Sequence, residues 1–96
     1  MGSGARCTDD YTIGMGYKPI ASGINSVSIG ESSSALGDRS AAIGSSLKSK
    51  SYGGMVVGIF NDSTNAASGT SINLLNRIFQ VGIGLSDASR NNAMTV

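Results

Sequence analysis

The sequence predicts an all-β fold: a parallel β-solenoid, or β-roll, of 14-residue repeats, homotrimeric, followed by a short β connector. Three observations carry this expectation. The stretch Ser26-Val27-Ser28-Ile29-Gly30 recurs at a spacing of fourteen as Thr12-Ile13-Gly14-Met15-Gly16, Ser40-Ala41-Ala42-Ile43-Gly44 and Gly54-Met55-Val56-Val57-Gly58. A fixed period of this kind usually dictates the whole fold. Each copy alternates side chains with the period of two that belongs to a strand. The 96 residues include 14 Gly and neither Trp nor His. Gly is thus about twice its ordinary ~7% share, and core-filling side chains are too scarce for a compact globule.

Residues 1–10 are polar and Gly-rich and are expected to form a flexible arm, its opening Met1-Gly2-Ser3-Gly4 resembling a tag. The chain also ends inside a strand-like pattern at Ala93-Met94-Thr95-Val96, so an excised piece of a longer protein is expected. The repeat runs over residues 11–65. In its first half, one column of stacked residues reads Ile13, Val27, Ala41, Met55 and the next inward one Met15, Ile29, Ile43, Val57. Between them lies Gly14, Ser28, Ala42, Val56, mostly small. The two aliphatic columns are the expected structural core and trimer contact.

The second half is less regular. A small column, Ala21, Ala35, Ser49, Ser63, suits a second short strand with a narrow inward side. Turn glycines are expected at Gly16, Gly30, Gly44 and Gly58 and at Gly23 and Gly37, where Ser51 and Asn65 continue the column. Gly or Asn at such corners fits backbone with φ > 0. A heptad coiled coil is excluded, because Gly costs ~1 kcal/mol relative to Ala in a helix and would recur every second turn.

Two strands and two corners per coil give rungs stacked at ~4.8 Å. Such a coil encloses little volume, while ordering it costs ~1.5 kcal/mol per residue. The aliphatic columns are therefore expected to be buried against other chains, and closed three-fold symmetry hides identical faces without making a filament. After Asn65 the register breaks. Residues 66–96 are expected to be a β connector or cap, with a loop at Ser68-Gly69-Thr70-Ser71 and an apolar cluster at Ile72-Asn73-Leu74-Leu75. A strand follows at Ile78–Gly84 with Phe79, Val81 and Ile83 on one face, then a turn over Leu85–Asn92. Gly84 lies 26 residues beyond Gly58, out of step with the repeat.

Composition excludes several functions. Net charge is +1, from 7 basic and 6 acidic residues with no basic stripe, so nucleic-acid binding is not supported. No apolar run approaches the ~20 residues of a helical membrane span. Cys7 is the one cysteine, which rules out an intrachain disulfide and a cysteine-based metal cluster. Three copies of Cys7 would lie close together in a trimer; a free thiol is the simpler reading.

No cofactor, metal or catalytic set is expected. Gly14-Met15-Gly16 and Gly82-Ile83-Gly84 lack the third glycine and following helix of a dinucleotide site. Asp9-Asp10 and Asp62 match no calcium loop. With no His for proton transfer and no base or orienting partner for any Ser, an enzyme is the last choice. Asp38-Arg39 sits beside a corner where a cross-chain pair would be weak. Asn61-Asp62-Ser63 fits a glycosylation sequon. Tyr17, Tyr52 and Phe60 fall near coil edges, where packing is favoured over ligand contact.

The stretch Gly23-Ile24-Asn25-Ser26-Val27-Ser28-Ile29-Gly30, followed by Ser33-Ser34-Ala35-Leu36-Gly37-Asp38, resembles the head repeat of YadA-like trimeric autotransporter adhesins. The resemblance implies a left-handed parallel β-roll of three intertwined chains. It implies a structural and adhesive segment on the bacterial outer surface that binds a host surface protein or glycan by multivalent contact. Lys48-Ser49-Lys50-Ser51 lacks the expected Gly and Gly53-Gly54-Met55 replaces the usual Ser/Ala, so the third coil is expected to be irregular. The tail, Phe79–Gly84 through Ser89–Val96, is similar to segments of Bacteroidetes surface proteins and phage tail-fibre proteins. That similarity leaves a virion or injection-system fibre as the alternative. An ice- or polysaccharide-binding solenoid would need a regular outward Thr or aromatic array, and the outward columns are mixed.

Overall fold

Among the described residues, ten strands build a roll of stacked coils. The computed structural model describes residues 4–61, 70, 77–86 and 88–96. In chain order the strands are β1 (Arg6–Cys7), β2 (Ile13–Tyr17), β3 (Ile20–Ala21), β4 (Val27–Glu31), β5 (Ser34–Ala35), β6 (Ala41–Ser45), β7 (Lys48–Ser49), β8 (Met55–Ile59), β9 (Phe79–Ile83) and β10 (Asn92–Thr95). From β1 to β8 short and long strands alternate because each coil has one five-residue side and one two-residue side. The short strands form the sheet β1-β3-β5-β7, and the long ones form β10-β9-β8-β6-β4-β2. Among the described residues there is no helix.

Register follows the 14-residue period. Ile13 pairs with Val27, Val27 with Ala41 and Ala41 with Met55, all in parallel. The short side keeps the same step through Ile20, Ser34 and Lys48. The third coil is thus regular, contrary to expectation: Ser51 takes the last described place in the column of Gly23 and Gly37 without shifting β8. The arm expected to be loose also carries a rung. Arg6 and Cys7 pair with Ile20 and Ala21, and the Arg6 amide donates to Pro19 O at 2.9 Å.

The interior of the roll is the small column, and the aliphatic columns lie outside it. Ala21, Ala35, Ala42, Leu47 and Val56 are fully buried, as are Ser28, Ser33 and Ser49. The molecule measures 30 × 30 × 16 Å. Two sheets facing each other stand ~10 Å apart, and short side chains from both fill that gap, so Ile and Met are turned outward. Several hydroxyls in this narrow interior bond to backbone, whereas the buried Ser26 and Ser51 hydroxyls find no partner among the described residues. Ser28 Oγ donates to Ser33 O at 2.7 Å, and Ser33 Oγ donates to Gly44 O at 3.0 Å while accepting from Leu47 N at 3.4 Å. Ser33→Ala orphans that buried amide, which costs ~1–3 kcal/mol. A thermal melt of the variant should shift down by at least about 4 °C, given the ~4–8 °C per kcal/mol typical of chains this size.

Three positions per coil adopt positive φ. Gly16, Gly30, Gly44 and Gly58 do so inside the long strands, not in turns. The true corners are held by Tyr11, Asn25, Arg39 and Gly53 at one end of the coil and Lys18, Ser32, Ser46 and Phe60 at the other. There the amides of Asn25, Ser32, Arg39, Ser46, Gly53 and Phe60 reach the preceding coil: Arg39 N donates to Ile24 O at 2.7 Å and Ser46 N to Glu31 O at 2.8 Å. Gly23 and Gly37 are not at positive φ. They are glycine because a Cβ at Gly23 would overlap the carbonyl of Gly37, and one at Gly37 the carbonyl of Ser51.

Past Phe60 the roll changes. The expected loop near residue 68, the cluster at 72–75 and the boundary near residues 65 and 66 lie outside the described residues, apart from the isolated Thr70. Strand β9 nevertheless adds to the same sheet, with Met55 opposite Phe79 and Gly58 opposite Gly82. The glycine in register is therefore Gly82, not Gly84, across a 24-residue step. Ser86 and Ser89 then pair in an isolated antiparallel bridge, and β10 returns antiparallel to β9.

Candidate functional site

The long sheet presents a nearly continuous apolar outer face. Alternation along β4 sends Ser28 inward and Val27 and Ile29 outward. The same holds on every rung, so Ile13, Val27, Ala41, Met55 and Phe79 form one outer column and Met15, Ile29, Ile43, Val57 and Val81 the next. Ile13 is 50% exposed, Met15 46%, Met55 40% and Ile43 38%. Val27, Ile29, Ala41, Val57, Phe79 and Val81 are half-buried by their neighbours on the sheet. At the strand ends, beyond the glycine column, Ile59 and Ile83 remain exposed.

Charge is confined to the margins of this face. Glu31, exposed at the end of β4, accepts a 3.4 Å hydrogen bond from Ser45 Oγ. The short sheet differs: its outer positions include Ser34, Lys48 and Lys50 beside Ile20 and Leu36. One side of the roll is thus mixed and wet, and the other is apolar over five rungs. An exposed apolar area of this continuity marks an interaction surface.

The edges of the roll carry stacked cations. Lys18 Nζ lies 5.2 Å from the Tyr17 ring centroid, Arg39 Cζ 5.8 Å from that of Tyr52 and Arg90 Cζ 5.5 Å from that of Phe60. Each aromatic noticed in the sequence therefore packs against a basic side chain of its own chain, an arrangement worth ~0.5–1 kcal/mol when exposed. Arg39 is turned to Tyr52, and Asp38 Oδ1 instead accepts the Ile24 amide at 3.0 Å from the preceding coil. Asn61 is fully buried, so its side chain is not presented as a glycan acceptor; Asp62 and Ser63 of that sequon lie outside the described residues. Among the described residues no group of three or more His, Cys, Asp or Glu is placed to hold a metal ion. Cys7 is an exposed free thiol.

Sequence comparison bears on the two central coils. Residues 21–46 match the YadA head domain repeat, in two copies. The matched stretch runs from β3 to the end of β6 and includes Val27, Ile29, Ala41 and Ile43 of the apolar face and Gly23, Gly30, Gly37 and Gly44 of the glycine columns. The flanking strands β2 and β8 keep the repeat's register outside the matched stretch. No curated protein and no solved structure matches the chain.

Signals missed from sequence sit at the far end of the roll. Asn61 Oδ1 accepts the Lys48 amide at 2.8 Å, and Asn61 Nδ2 donates to Lys48 O at 3.1 Å and Gln80 Oε1 at 3.1 Å. Asn92 Nδ2 also donates to Gln80 Oε1, at 2.8 Å. Arg90 donates to Ser46 O at 2.8 Å and Asn61 O at 3.3 Å. A readable trace existed: Asn61 is the only amide in the column Pro19, Ser33, Leu47, Asn61.

Proposed function

We propose that this chain is a structural and adhesive segment of a trimeric bacterial cell-surface adhesin. The observation that carries the reading is the apolar outer face of the long sheet, which a roll with so thin an interior leaves in water. Ile13, Met15, Val27, Ile29, Ala41, Ile43, Met55 and Val57 are the proposed contacts among three copies. Burying one such aliphatic side chain is worth up to ~1.5–3 kcal/mol, and three copies of the face offer many. The match of residues 21–46 to the YadA head domain repeat supports the trimer and an outer-surface location.

The work of such a segment is mechanical and multivalent. A stack of rungs spaces a contact surface from the cell, and three copies convert weak contacts with a host surface protein or glycan into lasting attachment. No chemical step is required of it, and the sequence has no His. Light scattering on the purified chain should give three times its 9.7 kDa mass, with a β-type circular dichroism spectrum on the same sample. A well-ordered monomer at micromolar concentration would refute the trimer.

A further inference from the structure

Among the described residues the short sheet ends on a side chain, not on open water. In each coil the first residue of the short strand gives its amide to a carbonyl on the next coil. Arg6 N donates to Pro19 O, Ile20 N to Ser33 O and Ser34 N to Leu47 O. The next member of the series is Lys48 N, and its acceptor is residue 61, again fourteen beyond Leu47. There the acceptor is the side-chain Oδ1 of Asn61, not the backbone carbonyl. That backbone carbonyl is turned to the Arg90 guanidinium instead. Asn61 Nδ2 completes the substitution by donating to Lys48 O. One side-chain amide thus provides both the acceptor and the donor that another rung's main chain would have offered.

The surroundings are fitted to this amide. Gln80 occupies the interior column whose earlier members are Gly14, Ser28, Ala42 and Val56, and it is 5% exposed. A buried polar residue needs a partner, and Gln80 Oε1 takes donors from both Asn61 and Asn92. Asn92 begins β10, so the chain of bonds from Lys48 through Asn61 and Gln80 ties the returning hairpin to the closed end of the short sheet. Unpaired strand edges otherwise template addition of further strands.

We infer that Asn61 is a strand terminator: its amide takes the bonds that the peptide of a further rung would take at Lys48 and seals the edge of β7 against an added strand from another copy of this chain. Asn61→Leu tests it in the whole chain, since Leu47 already fills the equivalent position one coil earlier. Amide hydrogen exchange at Lys48 should accelerate at least a hundredfold, while that at Ser34, bonded to Leu47 O, stays as in the parent. Sedimentation should show species larger than the parent assembly, growing with concentration. Lys48 protection retained in the variant, or exposed Lys48 without larger species, would overturn the inference. Asn61→Asp provides a second reading if the leucine variant does not fold. Near neutral pH it keeps the acceptor and loses the donors, so Lys48 N should remain protected while the β9–β10 hairpin exchanges about tenfold faster. An unprotected Lys48 amide in Asn61→Asp would equally reject it.

Discussion

Replacing Gly30 by alanine is expected to abolish folding. Gly30 holds φ at +124° inside β4, a region that costs a residue with a Cβ ~1–3 kcal/mol. Conformation is the smaller part of the effect. The added Cβ would overlap the carbonyl oxygen of Gly44 and stand 2.8 Å from its carbonyl carbon and 3.1 Å from its nitrogen. These are backbone atoms of the next rung, fixed by parallel pairing through β4 and β6, and they cannot move aside without opening the sheet. The two effects together place the loss beyond the ~4–5 kcal/mol that marks exceptional substitutions. A small domain has only ~5–15 kcal/mol in all. Gly53→Ala is the matched control: φ there is +68° and nothing lies within 4 Å of the added carbon, so the loss is limited to ~1–2 kcal/mol of backbone preference. Circular dichroism and a thermal melt of both variants decide the matter. A cooperative melt for Gly30→Ala within a few degrees of the parent would remove the glycine column from its role.

The second large effect is expected from Ile29→Asp combined with Ile43→Asp. Both side chains point away from the coil's interior, Ile29 half-buried and Ile43 38% exposed. As a neutral outer face they are proposed to meet their counterparts on other copies. A carboxylate in their place forfeits ~1.5–3 kcal/mol of apolar burial per residue and adds the penalty of an unpaired charge taken out of water. Six such groups in one assembly exceed what a trimer of small chains can tolerate. Light scattering should report monomer mass at concentrations where the parent is fully assembled. The interior of each coil is untouched by the change, so whatever structure is lost follows from losing partners. A variant of unchanged mass would show that this face is not the contact.

Much of the roll was legible from the repeat. The 14-residue period places both strands of every coil, and it fixes which residues stack because parallel rungs pair equivalent positions. The inside of the coil was harder to read. Apolar columns normally mark an interior, yet here Val27 and Ile29 lie outside and Ser28 and Ala42 inside, because the space between the sheets is one small side chain deep. Counting to Gly84 missed the rung at Gly82, since a 24-residue step erases the period although pairing resumes in phase. Asn61 shows in the sequence only as the one amide of its column, and Gln80 falls off the period altogether. Their roles come from a bond across strands that a linear reading does not bring together.

The corners have one more consequence. Tyr, Asn, Arg and Gly all occupy the same left-handed corner in successive coils, and Lys, Ser, Ser and Phe share the other. Backbone bonds to the adjoining coil set the shape there, so the identity of the protruding group is nearly free. Mutation can rewrite the outward lettering of such a protein one character at a time and leave its scaffold intact.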